Sequence, residues 1–355
     1  MTCTRLRDLG LSIGRLPTGE ANSIADVAGV TVGHETIVSD TPRVARTGVT
    51  VLQTRPPDRR SELCYAAIHS LNGNGEMTGS HWLSESGLLA GPMAITNTHQ
   101  VGVVRDTLVA AQIEGDPETE WCLPVVAETY DGFLNDIGAF HVTADHVNAA
   151  LAAADAGGPV GEGNVGGGTG MVCHGFKGGI GTASRLAAGP SGTFVVGALV
   201  QANYGHRELL RLDGRRIGHL LGADVAPLPS DPSVADAGSI IVVLATDAPL
   251  LADQCRRLAQ RATIGLARVG GTGADSSGDI FLAFSTANSV PTGAVSPVEV
   301  RTLPHSQMTP LFEAAAEAVE EAIWNALCAA ETTTGHLGRV VHSVPLEVLA
   351  ALRFV

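Results

Sequence analysis

A hydroxyl residue stands at the mouth of an apolar run in Asp236-Ala237-Gly238-Ser239-Ile240-Ile241-Val242-Val243-Leu244-Ala245-Thr246. If the chain severs itself between Gly238 and Ser239, the serine gains a free α-amine of reference pKa ~7.7–8.0 within reach of its own Oγ. It would then be a nucleophile that carries its own potential base. Gly-Ser before a strand is also an ordinary loop-to-strand junction, so the flanking residues matter. Residues 221–233 are dense in Pro, Asp and Ser and follow neither the helical nor the strand period. A loop that long inside a compact unit is functional or disordered, and a tether that comes apart after folding fits either description.

The second constellation is Gly270-Gly271-Thr272-Gly273-Ala274-Asp275-Ser276-Ser277-Gly278-Asp279-Ile280-Phe281-Leu282-Ala283-Phe284-Ser285. A glycine-rich loop delivers Ser277 and Asp279 to the start of an apolar strand, and strand alternation would set both on one face. A hydroxyl and a carboxylate so placed can orient a nucleophile and pass its proton. The alternative is that Asp275, Ser276 and Asp279 only cap and turn the loop. Other patterns fail on context. Gly161 to Gly166 fits G-x-G-x-x-G, but a helical pattern precedes it and no Asp or Glu occurs from 163 to 207 to hold a ribose. Gly10 to Gly14 matches G-x-S-x-G without a strand-turn-helix frame. His141 and His146 lack a third ligand in the sequence pattern, so no metal is expected.

These residues need a frame of sheets and helices. The chain has 355 residues, of which 45% are hydrophobic and 16% charged, so it should form a compact globular protein. A net charge of −14 without a basic cluster argues against nucleic acid. No apolar run reaches membrane-spanning length, and the N-terminal residues lack the apolar core of a secretion signal. Six scattered cysteines without metal spacing indicate reduced thiols and a cytoplasmic protein. Strands are expected at 48–52, 65–68, 193–201, 239–246 and 280–285. Helices are expected at 143–154, at 249–267 with Asp247 and Pro249 at its start, and at 310–330. Elements from both halves need one another, which predicts one interleaved domain over 1–355, with a linker at 213–238.

The runs 238–250 and 277–288 resemble the self-processing family of L-aminopeptidase/D-amidase-esterases and β-peptidyl aminopeptidases. Segments 71–79, 95–98, 121–136, 161–171 and 200–205 extend the likeness over nearly the whole chain. The resemblance implies an α+β fold, a four-layer αββα sandwich, cut into fragments 1–238 and 239–355 that stay associated. It implies Ser239 as nucleophile, Ser277 and Asp279 as its hydrogen-bonded partners, and Asn203 as donor to the oxyanion. Glu128 would anchor the substrate's free amine, Tyr130 would join the oxyanion or substrate contacts, and Trp121 would wall the pocket or simply pack in the core. Some relatives carry Glu at the position of Asp279, which leaves a β-peptide preference open.

The implied activity is removal of N-terminal residues from short peptides, amino-acid amides or esters through an acyl-Ser239 intermediate. No cofactor is needed, and the implied assembly is a homo-oligomer of cleaved heterodimers, a tetramer in the family. A carboxylate near the new amine would keep it protonated, so either burial outweighs that effect or the proton leaves Ser239 through Ser277. Rival readings are an endo-hydrolase of nylon-like amide oligomers and a non-catalytic metabolite-binding protein in which the Gly238–Ser239 bond never breaks.

Overall fold

The computed structural model describes residues 3–59, 62–116, 119, 121–229 and 238–352. Its main strands are β1 (Thr31–Ser39), β2 (Ala45–Gln53), β3 (Glu62–Ser70), β4 (Leu88–Leu89), β5 (Met93–Asn97), β6 (Val125–Thr129), β7 (Gly179–Gly189), β8 (Gly192–Asn203), β9 (Ser239–Thr246) and β10 (Asp279–Pro291). The main helices are α1 (Ser80–Ser86), α2 (Val101–Gly115), α3 (Ala144–Ala156), α4 (Ala252–Ala259), α5 (Ala262–Val269) and α6 (Thr309–Ala329). Among the described residues, one main sheet has the order β1-β2-β5-β6 and the other β4-β3-β10-β9-β8-β7.

Three apolar cores order the layers. Val49, Val51, Ala94 and Val126 pack with Val104 and Leu108 of α2 and Val147 and Ala150 of α3. The opposite face of that sheet, through Leu52, Met93, Ile95 and Ala127, meets Leu199, Ile241, Val243, Leu282 and Phe284. Val200, Val242, Leu244 and Phe281 then turn outward onto α4, α5 and α6. The succession is therefore helices, sheet, sheet, helices, a mixed α+β arrangement. β9 reads as an unbroken apolar run because both of its faces are covered, and each buried Ile, Val or Leu contributes ~1.5–3 kcal/mol.

β9 and β10 lie side by side in parallel, between β8 and β3, each of which runs antiparallel to its neighbour. These two main strands after residue 238 are thus flanked on both sides by strands that precede it. The helix α3 is preceded by Thr143 as its N-cap residue, whose N–H reaches the His146 ring nitrogen at 3.1 Å. His141 instead contacts the Val44 carbonyl.

Four local expectations change. The helix expected over 249–267 is two helices, starting at Ala252, with Gln254 returning its side chain to the Leu251 N–H. Asp247 does not cap it, because its carboxylate accepts the Val195 N–H at 2.7 Å. The α6 helix, whose apolar Leu311, Ala315, Val319, Ala322, Ile323, Ala326 and Leu327 read as one stripe in the sequence, is buried on all sides from Ala314 onward. Its Glu317 and Glu321 are paired with the fully buried Arg185 at 3.1 and 2.6 Å, which is how carboxylates survive there. The expected linker is folded over its first part: Leu221 and Ala226 join the helix-side core, and their carbonyls accept from the Arg207 guanidinium, which stacks on Phe176. Residues 230–237 of that stretch lie outside the described residues. No helix among the described residues is long and apolar enough to cross a membrane.

Candidate active site

The site forms where β8, β9 and β10 of one sheet end beside β6 of the other. Ser239 opens β9 and is the register partner of Asn203, the last residue of β8. Ser239 is 7% exposed, and its Oγ accepts the Gly278 N–H at 2.9 Å. Gly238 must lack a side chain, since a Cβ there would lie 2.4 Å from the Asn203 carbonyl oxygen.

Ser277 and Asp279 do meet. The Ser277 hydroxyl donates to Asp279 Oδ1 at 2.6 Å, although Ser277 lies just before the strand begins. Burial pushes the Asp279 carboxyl above its ordinary range, against the opposing pull of Ser277 and the Ile240 N–H. Alternation sends Asp279 with Phe281 toward the helix side and Ser239 with Ile241 toward the inter-sheet side. Gly278 stands between them. The contact of Ser239 is therefore to the Gly278 backbone, with the Ser277–Asp279 pair behind it.

Asn203 ties the two sheets together. Its Oδ1 accepts the Val172 N–H at 2.8 Å and its Nδ2 donates to the Tyr130 carbonyl at 2.9 Å. One amide hydrogen remains for an oxyanion. Tyr130 follows directly on β6, and its ring is 43% exposed.

Glu128, near the end of β6, is 4% exposed. Its carboxylate accepts the Glu76 N–H at 2.9 Å and the Thr98 hydroxyl. Burial raises its carboxyl above the ordinary range, while Thr98 and the Glu76 N–H oppose that. No cation neutralises it among these hydrogen-bond partners, so an incoming ammonium group would find a desolvated carboxylate with both oxygens oriented. Gly75 packs between Glu128 and the start of β10: a Cβ at Gly75 would lie 3.2 Å from both Glu128 Oε1 and Gly278 Cα. Trp121 is 61% exposed and meets Trp82 edge-on with ring centroids 5.8 Å apart, so core packing does not explain it.

Gly75, Thr98 and the Glu76 backbone were missed from sequence, since nothing in a local pattern marks a backbone N–H that reaches a carboxylate 52 residues away.

Comparison with known proteins shows the family. The model of peptidase family S58 matches residues 22–341. The β-peptidyl aminopeptidase BapA of Sphingosinicella microcystinivorans is 46% identical over 98% of this chain and 91% of its own length. Among solved structures, a β-aminopeptidase from a Burkholderia species superposes with a TM-score of 0.91 at 50% identity, covering 99% of this chain and all of the other. The L-aminopeptidase D-Ala-esterase/amidase of Ochrobactrum anthropi, described as a prototype of the serine aminopeptidases and a variant of the N-terminal-nucleophile hydrolase fold, does so with a TM-score of 0.90 at 44% identity, over 97% of this chain and 96% of the other. A buried serine opening a central strand, on this fold and with these relatives, makes the chain a member of peptidase family S58, a serine aminopeptidase of the N-terminal-nucleophile type.

Proposed function

We propose that this chain cuts its own Gly238–Ser239 bond and then uses Ser239 to release N-terminal residues from short peptides, amino-acid amides or esters. The observation that carries the reading is the register of Ser239 against Asn203, with the Ser239 Oγ on the Gly278 N–H and the hydrogen-bonded Ser277–Asp279 pair behind it. Ser239 Oγ attacks the substrate carbonyl, the free amide hydrogen of Asn203 and the Tyr130 region receive the developing oxyanion, and water then hydrolyses the acyl-serine. Glu128 binds the substrate's ammonium group. Trp121, paired with Trp82, forms the outer wall against the substrate side chain. The fragments 1–238 and 239–355 remain associated, and the assembly is a homo-oligomer of such pairs.

The proton of Ser239 has two routes, its own α-amine or Ser277. Ser277 already donates to Asp279, so the Ser277 route needs Ser239 Oγ to swing off the Gly278 N–H. Mass spectrometry of the denatured protein tests the main claim: two species are expected, whereas one species at 36.4 kDa that still hydrolyses an aminoacyl amide would refute it. An N-acetylated dipeptide amide should be a far poorer substrate than the free one.

A further inference from the structure

Behind the Gly238–Ser239 junction lies a cavity of about 20 Å³ whose lining includes Gly238, Ser277, Asp279, Tyr204, His206 and Ala274. Room of ~10–15 Å³ suffices for one water provided it finds polar partners. The wall offers such partners. Tyr204 is 6% exposed, and its hydroxyl has no hydrogen-bond partner. The ring is fixed edge-on by His174, with centroids 4.9 Å apart. An unpaired buried hydroxyl costs ~1–3 kcal/mol, so a phenylalanine would serve the packing better. Burial, with smaller contributions from Cys173 and Asp279, holds the phenol above its ordinary pKa, so it stays a proton donor. Gly238 is pressed against this wall, since a Cβ on it would lie 2.7 Å from Tyr204 Cα.

We propose that this cavity holds the water that completes self-processing, anchored by the Tyr204 hydroxyl and the Asp279 carboxylate. The inference rests on the cleavage at Gly238–Ser239 proposed above. Ser239 Oγ first adds to the Gly238 carbonyl carbon, the C–N bond breaks, and the hydroxyl proton ends on the new amine, leaving an ester. The water then adds to the same carbon, giving one proton to Asp279. As the C–O bond breaks, Asp279 returns that proton to Ser239 Oγ, and the acid proton of the new Gly238 carboxyl passes to the amine. Tyr204 is thus a positioning residue for the water, separate from substrate turnover.

The test follows processing of newly made chains by mass spectrometry, with hydroxylamine added together with denaturant at each time point. Brief hydroxylamine at neutral pH cuts an ester, leaving a hydroxamate on Gly238, and spares ordinary amides; cuts at Asn72-Gly73 or Asn74-Gly75 are told apart by fragment mass. In Tyr204→Phe, processing should slow at least ~10-fold and the uncut chain should become hydroxylamine-sensitive. Ala274→Val, which narrows the cavity while keeping the phenol, should give the same sensitive species and covers the case in which the first variant fails to fold. Processing at the wild-type rate in both variants, or slow processing with a hydroxylamine-resistant chain, overturns the proposal. A wild-type chain that stays uncut and resistant instead removes the self-cleavage reading on which it rests.

Discussion

The site has two sides that are built differently. On one side the ends of β8, β9 and β10 hold Asn203, Ser239 and Asp279, each on a strand with both faces covered and each between 2% and 7% exposed. On the other, Glu128 lies one residue before the end of β6 and takes its contacts from loops, through the Glu76 N–H and Thr98, and Tyr130, two residues on, is exposed. Asn203 is the link, since it binds the backbone of Tyr130 from the strand side. Bond-breaking chemistry gains from rigid placement, whereas recognition of varied N-terminal residues gains from a surface that loops can remodel. Both carboxyls are raised by burial and both accept a hydroxyl, Asp279 that of Ser277 and Glu128 that of Thr98; the proposed difference is that Glu128 also receives the substrate's amine.

Three perturbations should separate the two sides. Ser239→Ala strikes at the centre and should leave a single uncut chain with no turnover, read by mass spectrometry and an aminoacyl p-nitroanilide assay. Asn203→Ala should lower kcat by ~10²–10³, the usual cost of one oxyanion donor; a change confined to KM would assign Asn203 to substrate binding instead. Glu128→Gln should cost about 10–150-fold in kcat/KM on free-amine substrates, the loss of a charge-assisted bond of ~1.5–3 kcal/mol. Processing should be untouched in that variant, because the Gly238–Ser239 bond offers no free amine. If Glu128→Gln also stays uncut, the division between the two sides is wrong.

The smallest effect concerns Asp131, fully buried beside Tyr130 and hydrogen-bonded by Asn135 at 3.0 Å. Burial pushes its carboxyl up to about 7. The folded state therefore holds this proton more tightly than the unfolded chain, whose aspartates titrate near ~3.9. The resulting stabilisation is full below that value and is lost as pH rises through about 7. Asp131→Asn should narrow the gap between the Tm at pH 5 and the Tm at pH 8, and an unchanged gap would show that another group carries it.

Sequence patterns revealed the strand side far better than the loop side. The run from Ser239 to Thr246 is unmistakable because both faces are apolar, and the two-residue spacing of Ser277 and Asp279 does bring them into contact. Helix α6 was also visible, but its buried glutamates were not, because the arginines that make their burial tolerable, Arg7, Arg185 and Arg268, are distant in sequence. The break between α4 and α5 at Gln260 and Arg261 carries neither Gly nor Pro, so no local signal announced it. Glu128, Asn203 and Tyr130 drew their roles from family resemblance alone. Their contacts span 52 and 73 residues of sequence, beyond any periodicity.

The position of β9 and β10 has a topological consequence. Because they are threaded between β8 and β3, a nick before Ser239 opens no seam along which the pieces could drift apart. Separation would require unzipping hydrogen-bonded ladders on both flanks and exposing two apolar cores at once. With the proposed cut, maturation is irreversible in practice: the chain must reach its native topology while whole, and a cut molecule that unravels has lost the covalent guide that threaded it.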